Sequence, residues 1–109
     1  MTPLKLIVDI DGTICTNTEG DYVNSVPIIY RIAQMNNLYD LGHEIHYWTA
    51  RGGNSKKDWS ELTTMQLNEW GVKYTTLSFN KPVYDLWIDD KAFNADTYFK
   101  LHENTSHRL

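Results

Sequence analysis

The sequence predicts a Rossmann-like α/β domain, a three-layer α/β/α sandwich with a mostly parallel sheet. Three observations predict it. Short apolar runs alternate with segments of helical period, the pattern of strands linked by crossover helices. Each apolar run stops at a polar or charged cluster, as strands do at the ligand-binding edge of an open parallel sheet. The chain has 109 residues, 41% hydrophobic and 13% aromatic, which is enough apolar material for one core and too little chain for two. A single domain over 1–103 is expected, with 104–109 as a frayed tail.

The elements follow in order. Residues 4–8 form a short apolar run with one lysine that ends in acids, and read as a first strand. The Asp11-Gly12-Thr13 turn and the polar stretch to Asn24 make a flap. Ser25 as N-cap and Pro27 in the first turn start a helix, with Ile28, Ile32, Met35 and Tyr39 at helical spacing and Ile29 and Ala33 widening the stripe. Gly42 stops it. Residues 45–48 are the second strand, followed by a turn at 49–53. Asp58 caps a second helix whose apolar side is Trp59, Leu62, Leu67 and Trp70, ending at Gly71. Residues 74–79 form a third strand, broken by Asn80-Lys81-Pro82, and 83–88 a fourth, ending in Asp89-Asp90. Residues 95–102 make a short last helix. The link between the last two strands is too short for an ordinary crossover helix, so a compact loop is expected there.

Composition excludes several classes. No apolar run approaches the roughly 20 residues of a membrane span, and acids arrive too early for a secretory leader. Cys15 is a lone cysteine, so neither a disulfide framework nor a cysteine-rich zinc site is expected, and the reducing cytoplasm is the expected location. The formal charge is −4, with no basic block, which argues against nucleic acid. His43, His46, His102 and His107 lack metal-ligand spacing, and Lys56 and Lys57 read as a solvated loop. Asp9, Asp11, Asp89 and Asp90 equal the whole charge excess, and all four fall at strand ends. Carboxylates gathered there repel unless a cation or shared protons intervene, the first sign of a hard-metal site.

Four strand ends then meet at one crevice, bringing Asp9 and Asp11, Thr49 and Arg51, Lys81, and Asp89 and Asp90 together. The set suits a phosphoryl group. Mg²⁺ takes carboxylates and phosphate oxygens, while a hydroxyl, backbone N–H groups and an ammonium hold the other oxygens. A carboxylate can attack phosphorus, and a second one two residues away can move the proton. Arg51 suits either a substrate's leaving group or a brace for Asp89 or Asp90.

These residues carry a resemblance. Val8-Asp9-Ile10-Asp11-Gly12-Thr13, Tyr47-Trp48-Thr49-Ala50-Arg51-Gly52, Lys81-Pro82 and Trp87-Ile88-Asp89-Asp90 resemble, in order, the four motifs of the haloacid dehalogenase-like phosphohydrolases. The resemblance implies that Asp9 is the nucleophile and a Mg²⁺ ligand. It implies that Asp11 is the general acid/base, with its carbonyl on the metal. Thr49 and the Ala50 N–H would hold the phosphoryl group, Lys81 would neutralise the pentacoordinate state, and Asp89 or Asp90 would complete the Mg²⁺ site. No segment is long enough for an inserted cap domain, so the site should be open. Capless members of this look occur among sugar-phosphate phosphatases of surface-polysaccharide synthesis, so a small phosphorylated metabolite, a sugar phosphate, is the expected partner. A nucleotide phosphatase or a phosphotransferase of the same chemistry is the alternative. A phospho-receiver or an inactive scaffold is the alternative of another class; a receiver ends its middle strand in Asp, where this chain has Thr49. Excess aromatic surface, including Tyr22, Trp59, Trp70, Tyr84 and Trp87, suggests a homo-oligomer whose neighbour borders the crevice.

Overall fold

Why the chain folds as it does follows from three β-strands that alternate with helices. The structure, a computed structural model, describes residues 2–53 and 57–102. Strand β1 (Lys5–Val8) leads through a 3₁₀ turn at Tyr22–Asn24 to helix α1 (Ile29–Asp40). Strand β2 (Glu44–Trp48), helix α2 (Ser60–Glu69), strand β3 (Thr76–Ser78) and helix α3 (Ala95–His102) follow. The sheet is parallel throughout, in the order β1-β2-β3, with Val8 opposite Tyr47 and Trp48 opposite Ser78. This is the Rossmann-like α/β arrangement that the sequence predicts. Among the described residues no helix is long and apolar enough to cross a membrane.

One face of the sheet carries the core. Val8, Ile45 and Tyr47 pack with Ile32, Met35 and Leu38 of α1 and with Leu67 of α2. Their strand positions alternate, so Ile7 and His46 point to the other face, where Ile7 stays 59% exposed. Phe99 of α3 joins the core, and Arg31 of α1 holds α3 in place. The Arg31 guanidinium lies 4.8 Å from the Phe99 ring centroid, donates to Asp96 at 2.8 Å and reaches the Thr13 carbonyl at 3.2 Å.

Three sequence expectations are corrected. First, α1 begins at Ile29 rather than at Pro27, and Ser25 is not its cap. Thr16 holds Val26 instead: its N–H donates to the Val26 carbonyl and its hydroxyl accepts from the Val26 N–H, and the Ile28 N–H donates to the Ile14 carbonyl, so residues 26–28 pair with the flap before the helix can start. The buried stripe is accordingly Arg31, Ile32, Gln34, Met35 and Leu38, while Ile29, Ala33 and Tyr39 are exposed. Second, Asp58 lies just outside α2, where its carboxylate accepts from the Ser60 N–H and hydroxyl. Third, residues 83–88 are not a strand and pair with no other strand among the described residues. The tail at 104–109 and Lys56 lie outside the described residues.

Candidate functional site

The site grows from the C-terminal ends of the three strands. β1 runs into Asp9, Ile10 and Asp11, and Gly12 takes a positive φ of 78° that turns the chain back under the acids. That turn is held by the Thr13 and Ile14 N–H groups, both donating to the Ile10 carbonyl. β2 runs into Thr49, whose N–H bonds the Ser78 carbonyl of β3 and whose hydroxyl accepts from the Arg51 N–H at 3.1 Å. Lys81, three residues past β3, donates its backbone N–H to the Thr49 carbonyl at 3.3 Å. Parallel pairing and short turns thus bring Asp9, Asp11, Thr49, Arg51 and Lys81 to one edge, as the sequence predicts.

Two ion pairs organise that edge. The Lys81 ammonium is 3.3 Å from Asp9 Oδ1, and its chain rests near the rings of Tyr84 and Trp87. Burial pushes the Asp9 carboxyl above its ordinary value; the Lys81 charge and the Ile10 N–H oppose this without cancelling it. Asp9 is therefore a half-buried carboxylate whose desolvation Lys81 offsets only in part.

The second pair is of another kind. Arg51 grips Asp11 with two parallel bonds, Nη2 to Oδ1 at 2.8 Å and Nε to Oδ2 at 2.9 Å. Its Nη1 donates to Thr63 Oγ1 at 3.0 Å and Gln66 Oε1 at 2.6 Å, and Tyr22 stacks 4.7 Å from the guanidinium carbon. The Arg51 side chain has no solvent exposure. Burial alone would lower its pKa, but the bond and charge of Asp11 outweigh that and hold it above the usual arginine value. Every guanidinium nitrogen is engaged by protein. Arg51 therefore braces Asp11, not Asp89 or Asp90, and it has no free donor for a substrate, which corrects the expectation that it binds one. Cys15 closes the same cluster, its thiol 3.5 Å from Asp11 Oδ1 and pushed up to about 12 by burial and by the Asp11 charge.

Sequence reasoning missed Thr63, Gln66 and Cys15. The signal was present: Thr63 and Gln66 lie one helical turn apart beside Leu67, so polar residues share the buried face of α2. Gln66 also donates to the Tyr22 carbonyl at 2.6 Å, tying the flap to α2.

Asp89 and Asp90 are not brought to this edge. Both are exposed, and among the described residues no three metal-binding side chains gather. Asp89 instead accepts the Lys91 N–H at 2.8 Å, which with Trp87 Nε1 holds its carboxyl below the usual range. Beside the ion pairs lies a cleft of about 380 Å³ between Arg51, Gly52, Trp59, Asn80, Lys81 and Val83. It adjoins the carboxylates through Lys81 and does not contain them. Gly52, at a φ of 89°, and Gly53 form its floor; a Cβ on Gly53 would sit 2.8 Å from Val83.

Fold and site together define a Rossmann-like α/β protein with an Asp-x-Asp pair and a lysine at the C-terminal edge of a parallel sheet. The chain is similar to an MCSG target from Vibrio cholerae known from its crystal structure, with a TM-score of 0.76 and 31% identity over 86% of this chain and 85% of that one. It belongs to one family with that protein. No family model and no curated protein matches the chain.

Proposed function

We propose that the protein is a Mg²⁺-dependent phosphomonoesterase working through an aspartyl-phosphate on Asp9, with a small sugar phosphate as substrate. The observation that carries this reading is the Asp9–Lys81 pair at 3.3 Å, built from two strand ends, with Asp11 two residues further on and held separately. A nucleophilic carboxylate needs a cation nearby to meet a phosphate dianion, and it needs a second acid that is not the same group. The Thr49 hydroxyl and the Ala50 N–H suit the phosphoryl oxygens.

In this reading an Asp9 oxygen attacks phosphorus as the ester oxygen leaves. Asp11 gives that oxygen its proton and then takes one from the water that attacks the aspartyl-phosphate, releasing inorganic phosphate. Lys81 offsets the charge on the equatorial oxygens. Asp11 reaches the leaving group only after rotating out of the Arg51 grip, since both its oxygens are engaged at rest. Mg²⁺ would be held by the Asp9 carboxylate and the Asp11 carbonyl; Asp89 or Asp90, away from this edge here, would have to be brought to it as the further ligand. The donors are oxygen atoms of the kind Mg²⁺ prefers, and Lys81 offsets the burial of Asp9 only in part, so the residues fit the ion in chemistry. When bound, it would polarise the phosphoryl oxygen.

The test is phosphate release from a panel of sugar phosphates and nucleotides with Mg²⁺ or EDTA. Turnover should need Mg²⁺ and vanish in Asp9→Asn. Asp11→Asn should lose about 10²–10⁴-fold on alkyl phosphates and less on aryl phosphates, whose leaving groups need no proton. Full activity in EDTA, or an active Asp9→Asn variant, would overturn the reading.

A further inference from the structure

We propose that residues 83–102 are exchanged between two copies of this chain, so that 85–88 add as a fourth parallel strand to β1 of the partner copy and carry Asp89 and Asp90 to the partner's Asp9 edge. Two unfilled halves motivate this. β1 ends the sheet, with no strand on its outer side among the described residues. Residues 83–88, Val-Tyr-Asp-Leu-Trp-Ile, have the composition of a strand, yet Leu86 is 75% exposed and Ile88 88% exposed.

One register fits both halves. Placing Asp85 beside Lys5 sets opposite charges next to each other. It puts Leu86 beside Leu6 and Ile88 beside Val8, on the face that already holds Ile45 and Tyr47. Trp87 then covers Ile7 on the other face, the largest exposed apolar side chain of β1 there. The same register sets Asp89 beside Asp9. A slip of one residue would turn Leu86 and Ile88 out of the core and break the charge pair.

The link decides whose β1 is used. The Lys81 N–H is anchored on the Thr49 carbonyl, at the level of Ile10 by the strand register. From there, on the β3 side of β2, to a strand start beside Lys5 of the same chain is three strand spacings across and five residues down, about 22 Å on a straight line. Residues 81 to 85 span at most about 14 Å when fully extended. The straight line also runs through the sheet and its core. The same chain cannot place 85–88 parallel to its own β1, whereas a second copy can receive them with no such limit. Each copy has one open edge and one unpaired arm, so the exchange closes as a two-fold dimer. α3 follows Ile88 after only six residues and travels with the arm. The Arg31–Asp96 pair and the Phe99 packing, made within the chain here, are then made between copies.

The exchange rests on this geometry alone; that it completes a Mg²⁺ site rests on the phosphatase reading. The full chain carrying Ile7→Cys and Trp87→Cys tests it under mild oxidation, with light scattering on the wild type. The expected results are a dimer in solution and a disulfide-linked dimer on a non-reducing gel. Inserting ten Gly/Ser residues after Pro82 should convert the dimer to a monomer and move the disulfide inside one chain. A wild-type monomer, or a disulfide within one chain at native link length, would overturn the proposal. A second arm reads the shared site. Asp9→Asn and the double variant Asp89→Ala/Asp90→Ala, refolded together in equal amounts, should regain about a quarter of wild-type phosphate release, because half the dimers are mixed and each has one intact site. An interchain disulfide without phosphate release even from wild type would remove the phosphatase reading and leave the exchange standing. Wild-type turnover from a monomer would do the reverse.

Discussion

Arg51 and Lys81 are both cations beside a carboxylate, and their surroundings give them different work. Arg51 is sealed between Asp11, Thr63, Gln66 and Tyr22, so removing it takes the countercharge from a half-buried carboxylate and the guanidinium donor from the Thr63 and Gln66 oxygens. Arg51→Met should cost about 3–5 kcal/mol in denaturant unfolding, and Arg51→Lys should restore little of it, since an ammonium cannot make the paired bonds. Lys81→Met should cost far less stability while abolishing turnover, because its partner Asp9 lies at the open edge. Asp9 itself should trade stability for function. Its folded pKa lies above the ordinary 3.8 because burial disfavours the ionised form. The penalty is absent below that unfolded value, grows as pH rises toward the folded one, and stays constant above it. Asp9→Asn should therefore melt at a higher temperature than wild type at pH 7 in EDTA, with the gain shrinking toward pH 4; a lower melting temperature at pH 7 would contradict this. Cys15, with its thiol near 12, should resist alkylation at pH 8 until the protein unfolds.

At the scale of elements, what was legible in the sequence depended on whether the cause was local. Residues 4–8, 45–48 and 74–79 read as strands because a short apolar run with branched and aromatic side chains carries that signal by itself. Asp9, Asp11, Thr49 and Lys81 read as a site because they sit at those strand ends. The start of α1 was not legible, because Val26 answers to Thr16, ten residues upstream, and Ser25 to the Tyr22 carbonyl, rather than to the helix. The buried face of α2 was not legible either. A search for apolar spacing passes over Thr63 and Gln66, which are buried to serve a guanidinium from another turn. That reasoning gives a test. Gln66→Leu keeps the volume and raises the apolarity of α2, so a purely hydrophobic face would gain stability. If the face exists to hold Arg51, the variant should instead lose about 1–3 kcal/mol, since an arginine donor is left buried and unpaired. It should also lower turnover through Asp11, and the loss should be larger on alkyl than on aryl phosphates. Residues 83–88 carry the composition of a strand, but the partner that composition calls for is not in the same chain.

For the whole molecule, exchange of 83–102 would make folding and association one process. A single copy leaves the outer side of β1 unpaired and keeps Leu86 and Ile88 in water. Those groups are covered only when a second copy is present, so the native state should be favoured by mass action. Each tenfold rise in concentration should add about 1.4 kcal/mol per mole of dimer to the unfolding free energy. The melting temperature of the wild type should then climb steadily between micromolar and hundred-micromolar protein. The chain with ten residues inserted after Pro82 can satisfy its own β1, so its melting temperature should not depend on concentration at all. The insertion also separates two meanings of the charge at the sheet edge. If Asp89 and Asp90 share an ion with Asp9, Mg²⁺ should raise the melting temperature of both proteins, because both assemble the same three-acid edge by different routes. It should do nothing for Asp89→Ala/Asp90→Ala. A wild type whose melting temperature ignores concentration, measured beside an inserted variant that behaves identically, would show that the arm finds its place within one chain and that the open edge of β1 serves something other than a second copy.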